Sequence, residues 1–426
     1  MSLRRASYHL HTALIVDPQG AQSAAAVLDF VRRFDDFLNH CDHEPRLAFG
    51  VIQNGARFLE RYLSLRPEHF ERLEAVGEAK KLVTAPFYLS PQGDSILSPE
   101  LFIRNLLLGR QTVQVFARPL EICWLPFKLR LPAYVPQLVH GFGMRTLILP
   151  MPTEGSAEGR WRGDEGSEIC VGWALSNAES GESIAALRAH FALLNQSGEM
   201  LILCPWDSGG ALAFSQMSAA RQVVDEVFSS HPGHYGRALE TYARRCDLPL
   251  LTLEPYVGAA SPQITAAEHL LTHHLEPASI VAAYGALPAF LPHPQRMLQQ
   301  LWRGLISASV APERMEAEAS LEAIYETASA LGVERSEWLS AVIKSDHPDF
   351  VISAAKLPES GMGLIVRGVN MGTAPIWVRL RPFRRFERAL VLRHDESPTG
   401  GTMGLEAEGA IRFLAEPARF LTFGFG

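Results

Sequence analysis

An alternation constrains this chain more than any other feature. Up to about Gly258, apolar runs of four or five residues take turns with stretches of helical amphipathic period. Runs that are apolar on both faces are what strands become when helices cover both sides of a parallel sheet. The spacing predicts strands at 8–11, 46–52, 82–86, 121–124, 146–150, 169–174, 200–204 and 250–253. Helices are expected between them at 21–39, 55–63, 67–80, 99–115, 183–195 and 219–228. Three helical segments then follow without a strand between them, at 264–283, 294–310 and 312–332. Pro292, Pro294 and Pro312 stand near their starts, where proline is tolerated. From Asp349 the period becomes two, broken by Gly, Pro and Asn turns, which reads as a small antiparallel sandwich. The expected fold class is therefore multidomain α/β + α + β. It comprises an irregular barrel-like α/β domain of parallel strands (1–260), a three-helix bundle (261–345) and a small C-terminal β-sandwich (346–426).

Composition excludes several functions. The net charge is -7 and the basic residues are dispersed, so nothing attracts a phosphate backbone and nucleic acid is not an expected partner. The five cysteines (Cys41, Cys123, Cys170, Cys204, Cys246) show no CxxC spacing and read as free thiols in a reducing compartment. Tyr8, His9 and His11 interrupt what would have to be an apolar signal core, and no apolar stretch approaches the ~20 residues of a membrane span. A cytoplasmic protein is expected.

Several motifs, in order, carry a resemblance. Ser98-Pro99-Glu100-Leu101-Phe102-Ile103-Arg104-Asn105 is followed by Trp124-Leu125-Pro126, Pro136-Gln137, Gly141-Phe142-Gly143, Trp161-Arg162-Gly163-Asp164-Glu165-Gly166-Ser167 and Leu253-Glu254-Pro255-Tyr256. Glu268, Glu276-Pro277 and Trp302 follow on the predicted bundle. Together they resemble glycoside hydrolase family 38, the retaining α-mannosidases, whose C-terminal β region is larger than the one here. The resemblance implies a carbohydrate ligand, an α/β barrel-like catalytic domain and a zinc-type metal. That metal would be held by an H-x-D pair, a nucleophilic Asp after "WLP" and a His on the bundle.

This chain departs from that ligand set. His11 fills the ligand histidine position, but Ala13 stands where the Asp belongs. The nucleophile position is Phe127, and no Asp or Glu occurs anywhere in 123–140. After Trp302 come Ala308, Ala311 and Pro312, with no histidine between His293 and His347. A retaining glycosidase needs two carboxylates, so the loss of the nucleophile points to a protein without the family's hydrolysis. No metal is therefore expected. The alternative is an active hydrolase with a rearranged site. There, His9 and His11, on one face of a strand by its period of two, would start a zinc site. Asp17, Asp94 or Asp207 would complete it. Asp207 is also the candidate general acid, because it follows an apolar strand and precedes a Gly pair. As a turn residue it would instead cap its own backbone. His11, Trp124, Trp161 and Trp206 are candidate substrate-binding side chains, the indoles as stacking surfaces; core packing accounts for the latter two equally well. Asp164 and Glu165 can simply shape a turn. His273-His274 reads as surface. The run Arg379, Arg381, Arg384, Arg385, Arg388 fits a solvated strand face, with an anionic partner as the sharper alternative. A protein partner or homo-oligomer is compatible with all of this.

Overall fold

The computed structural model describes residues 7–17, 24–43, 49–92, 97–116, 120–127, 131–150, 158–176, 183–206, 225–253, 261–284, 294–310, 316–333, 337–359 and 363–426. Its first part builds β1 (His9–Ile15), α1 (Ala24–His43), β2 (Gly50–Ile52), α2 (Arg57–Leu65), α3 (Phe70–Glu78), β3 (Leu82–Thr84), α4 (Pro99–Gln114), β4 (Cys123–Trp124) and α5 (Val135–Gly141). There follow β5 (Thr146–Pro150), β6 (Gly159–Arg162), β7 (Glu168–Ser176), α6 (Ile184–Leu194), β8 (Glu199–Pro205), β9 (Glu226–Ser229) and α7 (Pro232–Ala243). The strands order as β3-β2-β1-β8-β7-β5-β4, and every neighbouring pair along that path is parallel. β6 folds back antiparallel on β7, and β9 runs parallel to the first half of β1.

The period of two sorts each strand between two cores. Leu10, Leu14 and Val16 of the β1 segment join the large cluster that includes Phe34 and Phe37 of α1 and Leu101 of α4. Ala13 and Ile15 face the other way, with Trp124, Leu201 and Leu203, and meet Tyr235 and Leu239 of α7. Helix starts follow the local chemistry. Ser98 caps α4 by accepting the Leu101 N–H at 3.1 Å, with Pro99 in the first turn.

Two expectations failed in this part. A helix was expected at 219–228, but Glu226–Ser229 is a strand, because Val227 and Phe228 find open backbone beside β1. Residues 250–253 make only an isolated bridge, Arg160 to Leu250, rather than a strand. The sequence reading also passed over α7, whose start is signalled by His231-Pro232. The His231 ring Nδ1 accepts the Gly233 N–H at 3.1 Å.

The next stretch is helical. α8 (Pro262–His269) continues through a π-helical segment, Leu270–Leu275, into α9 (Glu276–Ala283); α10 (Pro294–Val310) and α11 (Glu316–Ala330) pack beside it. Pro277 gives a cause for the wide turn. It lacks an N–H and its ring clashes with the carbonyl four residues back, which an added residue per turn relieves. α12 (Trp338–Val342) leads into β10 (Ile343–Ser345), β11 (Phe350–Lys356), β12 (Leu364–Asn370), β13 (Ile376–Pro382), β14 (Ala389–Leu392), β15 (Pro398–Met403), β16 (Ile411–Ala415) and β17 (Phe420–Phe425). These form two antiparallel sheets, β10-β13-β16 and β11-β12-β17-β14-β15, around a shared core that includes Val378, Phe413, Val366 and Phe423.

A buried ion network joins the three parts. On α4, Arg104 Nε donates to Glu100 Oε1 one turn earlier at 2.6 Å. Its Nη2 reaches Glu276 of α9 at 2.7 Å, and its guanidinium lies 4.7 Å over the Trp302 ring of α10. The Trp302 indole N–H donates to the same Glu276 at 3.0 Å. From β12, Arg367 donates to Glu100 at 2.8 Å and to Glu396 at 3.0 Å, and Lys356 of β11 donates to Glu396 at 2.7 Å. Glu100, Arg104, Glu276, Lys356 and Arg367 are all buried. Charges so placed persist only when paired. Burial pushes the Glu100 carboxyl up, but Arg367 and Arg104 outweigh it and hold it below the usual range. At Glu276 burial outweighs Arg104, and the carboxyl is raised.

Candidate functional site

In open α/β sheets, ligands bind at the carboxyl ends of the parallel strands, where the chain turns away and leaves polar groups uncovered. At that rim, two residues beyond the end of β1, lies Asp17. It has the strand parity of Ala13 and Ile15 and is 1% exposed. Its two oxygens accept the backbone N–H groups of Gln53 and Asn54, just past β2, each at 2.7 Å. Ser90 donates from its hydroxyl to the Gln53 carbonyl at 2.5 Å, and the Gln92 amide reaches Asn54 Oδ1 at 3.4 Å. Burial pushes the Asp17 carboxyl up to about 7, against the pull of its two N–H donors. The rim therefore holds a buried carboxyl, raised to about 7, that fixes the backbone just past β2.

The H-x-H pair lies at the other end of β1. His9 opens β1 and His11 is its third residue, so Asp17 lies six residues, roughly 20 Å of extended chain, beyond His11. Both histidines turn to one carboxylate: Glu199 lies 3.0 Å from His9 Nδ1 and 2.8 Å from His11 Nε2. His11 Nδ1 pairs with Ser230 Oγ at 3.1 Å, and its ring contacts Phe228 and Tyr235. Burial pushes Glu199 up, but the two histidine hydrogen bonds outweigh it and hold it low. Both rings are thus engaged by one carboxylate. Among the described residues, no three His, Cys, Asp or Glu side chains are arranged to hold a metal. The strand ends at Ile15, and Val16 and the buried Asp17 follow it.

The other candidates divide. Trp124 is fully buried at the end of β4, and its indole N–H finds no partner among the described residues. Trp161 and Trp206 belong to the main core; Trp206 packs edge-on against Phe37 at 5.5 Å, so neither offers a stacking surface. Phe127 lies three residues past β4 and is 7% exposed. Ala308 is buried in α10. Asp207, Asp94, Ala311 and the Glu254-Pro255-Tyr256 motif lie outside the described residues. Glu165 accepts the Ser167 N–H at 3.1 Å, as a turn former does. Sequence reasoning missed Gln53 and Asn54; their one signal was polar residues directly after an apolar run.

No family model matches the chain. A protein from Enterococcus faecalis in glycosyl hydrolase family 38 superposes with a TM-score of 0.58 at 15% identity, over 99% of this chain and 54% of that one. An α-mannosidase from Enterococcus faecalis V583 gives 0.57 at 15% identity, with the same shares. A Halalkalibacterium halodurans protein named "Putative mannosylglycerate hydrolase" is 27% identical over 119 residues, 28% of this chain and 13% of its own length. The chain thus has the fold of family 38 glycoside hydrolases and spans about half the length of those solved chains. Among the described residues, no helix is long and apolar enough to cross a membrane.

Proposed function

We propose that this chain is a family-38-like carbohydrate-binding protein that does not perform metal-dependent retaining hydrolysis. The observation that carries the reading is Phe127. It occupies the position the motif gives to the nucleophile, it is buried, and no carboxylate lies in 123–140 to replace it. Without that group the covalent step is gone, and acid assistance alone is worth only ~10²–10⁴-fold. Ala13 and Ala308 in two further ligand positions point the same way, as does an Asp17 carboxyl already engaged by two N–H groups. The ligand class is a mannoside, drawn from the names of the similar proteins. The rim amides of Asn54 and Gln92 are its expected contacts. A cytoplasmic location and the division at about 260 and 345 belong to the same proposal.

The test has two arms. Tryptophan fluorescence of the purified protein should change saturably with α-mannosides. No aryl α-mannoside should be cleaved, with or without zinc or cobalt. Metal-stimulated turnover lost in Asp207→Asn would overturn the reading and establish a rearranged active enzyme.

A further inference from the structure

We propose that the outer face of the β10-β13-β16 sheet docks onto α11 of a second copy of this chain, joining copies head to tail. The inward residues of this sheet, Val378, Leu380, Ile411 and Phe413, fill the sandwich core, so by the period of two their neighbours face out. Those neighbours are not the polar set that water would favour. Trp377 is 58% exposed and Leu414 45% exposed, and they stand directly opposite on β13 and β16. Met371, 68% exposed, lies at the same corner, where the Asn370 side chain donates to the Ala415 carbonyl at 2.9 Å. Contiguous exposed Trp, Met and Leu beside arginines is the composition of an interface core rather than of free surface.

The charge on this face names the occupant. Arg379 and Arg412 are opposite each other in the ladder, and like charges so placed are destabilising. Glu406 answers Arg379 at 2.7 Å. Arg412 has no carboxylate partner among the described residues and lies 5.1 Å over the Trp377 ring. The molecule as a whole carries -7, so this is a basic island on an acidic protein. α11 is the complement. Its sequence EAEASLEAIYETASA contains no basic residue, and Glu318, Glu322 and Glu326 are exposed at successive turns beside an exposed Tyr325. None of the three has an ion-pair partner among the described residues, and like charges four residues apart weaken a helix. Arg412 on one face and Glu318, Glu322 and Glu326 on the other are thus without an ion-pair partner among the described residues, whereas Arg379 and Arg381 are paired with Glu406 and Glu408. Because the two faces differ, the contact is heterologous and propagates into rings or chains.

Sedimentation of the intact protein tests this. The unaltered chain should associate at tens of micromolar and low salt, and dissociate as salt rises. R379E/R412E and E318K/E322K should each sediment as monomers, while their mixture associates, since each reversed face then meets an opposite one. Trp377→Ser should weaken association at least tenfold at every salt concentration. All of these residues are exposed or half-exposed, so an unchanged melting curve will show that folding is intact. A monomer at all concentrations, or association that survives the single reversals or is not restored by mixing, overturns the proposal.

Discussion

The seam between α4, α9 and β12 and the rim at the end of the parallel strands both contain residues that the family-38 motifs picked out, yet they differ in what they keep. At the seam the charged motif residues are present and paired: Glu100, Arg104, Glu276 and the Trp302 indole contact one another. At the rim Phe127 stands where the motif has its nucleophile, and the acid present, Asp17, holds backbone. The difference separates two uses of charge that a sequence motif does not distinguish. Residues that assemble the scaffold are bound to each other, and a partner in the chain satisfies them. Residues that act on a ligand must be left partly unsatisfied, which costs stability unless the ligand or a metal supplies the rest. On the proposed reading, neutral groups at the rim remove that cost along with the chemistry.

The seam offers the largest effect. Arg104→Met strips Glu100 and Glu276 of their shared cation while both stay buried, so stability should fall by ~3–5 kcal/mol. Urea denaturation measures this, and a loss below about 1 kcal/mol would mean the network adds little to cohesion. Phe127→Asp comes next. It exchanges a buried ring for a buried carboxyl and should destabilise by ~2–5 kcal/mol while giving no aryl α-mannosidase activity. Near-neutral stability there would mean an open pocket at position 127, and recovered turnover would show that the remaining ligands suffice.

The pH dependence sharpens the contrast further. Asp17 has a folded value of about 7, above its ordinary 3.8, so its neutral form is favoured in the fold. Its contribution is present at low pH and is lost as pH rises from about 4 to about 7. His231, His273 and His394 run the other way. Burial pushes them down to about 3, 4 and 4 from 6.5, so they oppose folding as pH falls below 6.5. In the unaltered protein these slopes partly cancel. Asp17→Asn removes the first and leaves the second, so from pH 6.5 to 4 the variant should lose stability more steeply, by up to about 1.4 kcal/mol per pH unit. Equal slopes would place the Asp17 carboxyl in its ordinary range.

The layout of the fold was legible because periodicity reports it. α10 was expected at 294–310 and is Pro294–Val310; β5 was expected at 146–150 and is Thr146–Pro150. β9 was not legible, since its pairing with β1 is a long-range event and the Ala, Arg and Gln before it suit a helix. The site was read less well. A pattern match put His11 at the end of the first strand, whereas the strand runs on through the apolar Ala13-Leu14-Ile15 and ends beside Asp17. A spacing of two sets which face a side chain takes, not how far along the strand the rim lies. The stacking role given to Trp206 failed for a related reason, because its core partners Phe37 and His40 come from a helix far away in sequence.

The smallest predicted effects belong to the histidine pair, and they bear most directly on where the site is. His11 is 9% exposed, and its ring is hydrogen-bonded on both sides, to Glu199 and to Ser230. His11→Ala leaves those groups without their partner and should cost ~1–3 kcal/mol. His9 is half exposed, and its facing carboxylate keeps the His11 bond when it is removed. His9→Ala should therefore cost no more than ~0.5 kcal/mol. If ligand binds at the rim, roughly 20 Å of strand away, neither change will alter the fluorescence response to mannosides, whereas Asp17→Ala will weaken it by freeing the backbone of Gln53 and Asn54. A His11→Ala variant that keeps its melting curve but loses the mannoside response would move the site to the other end of the sheet.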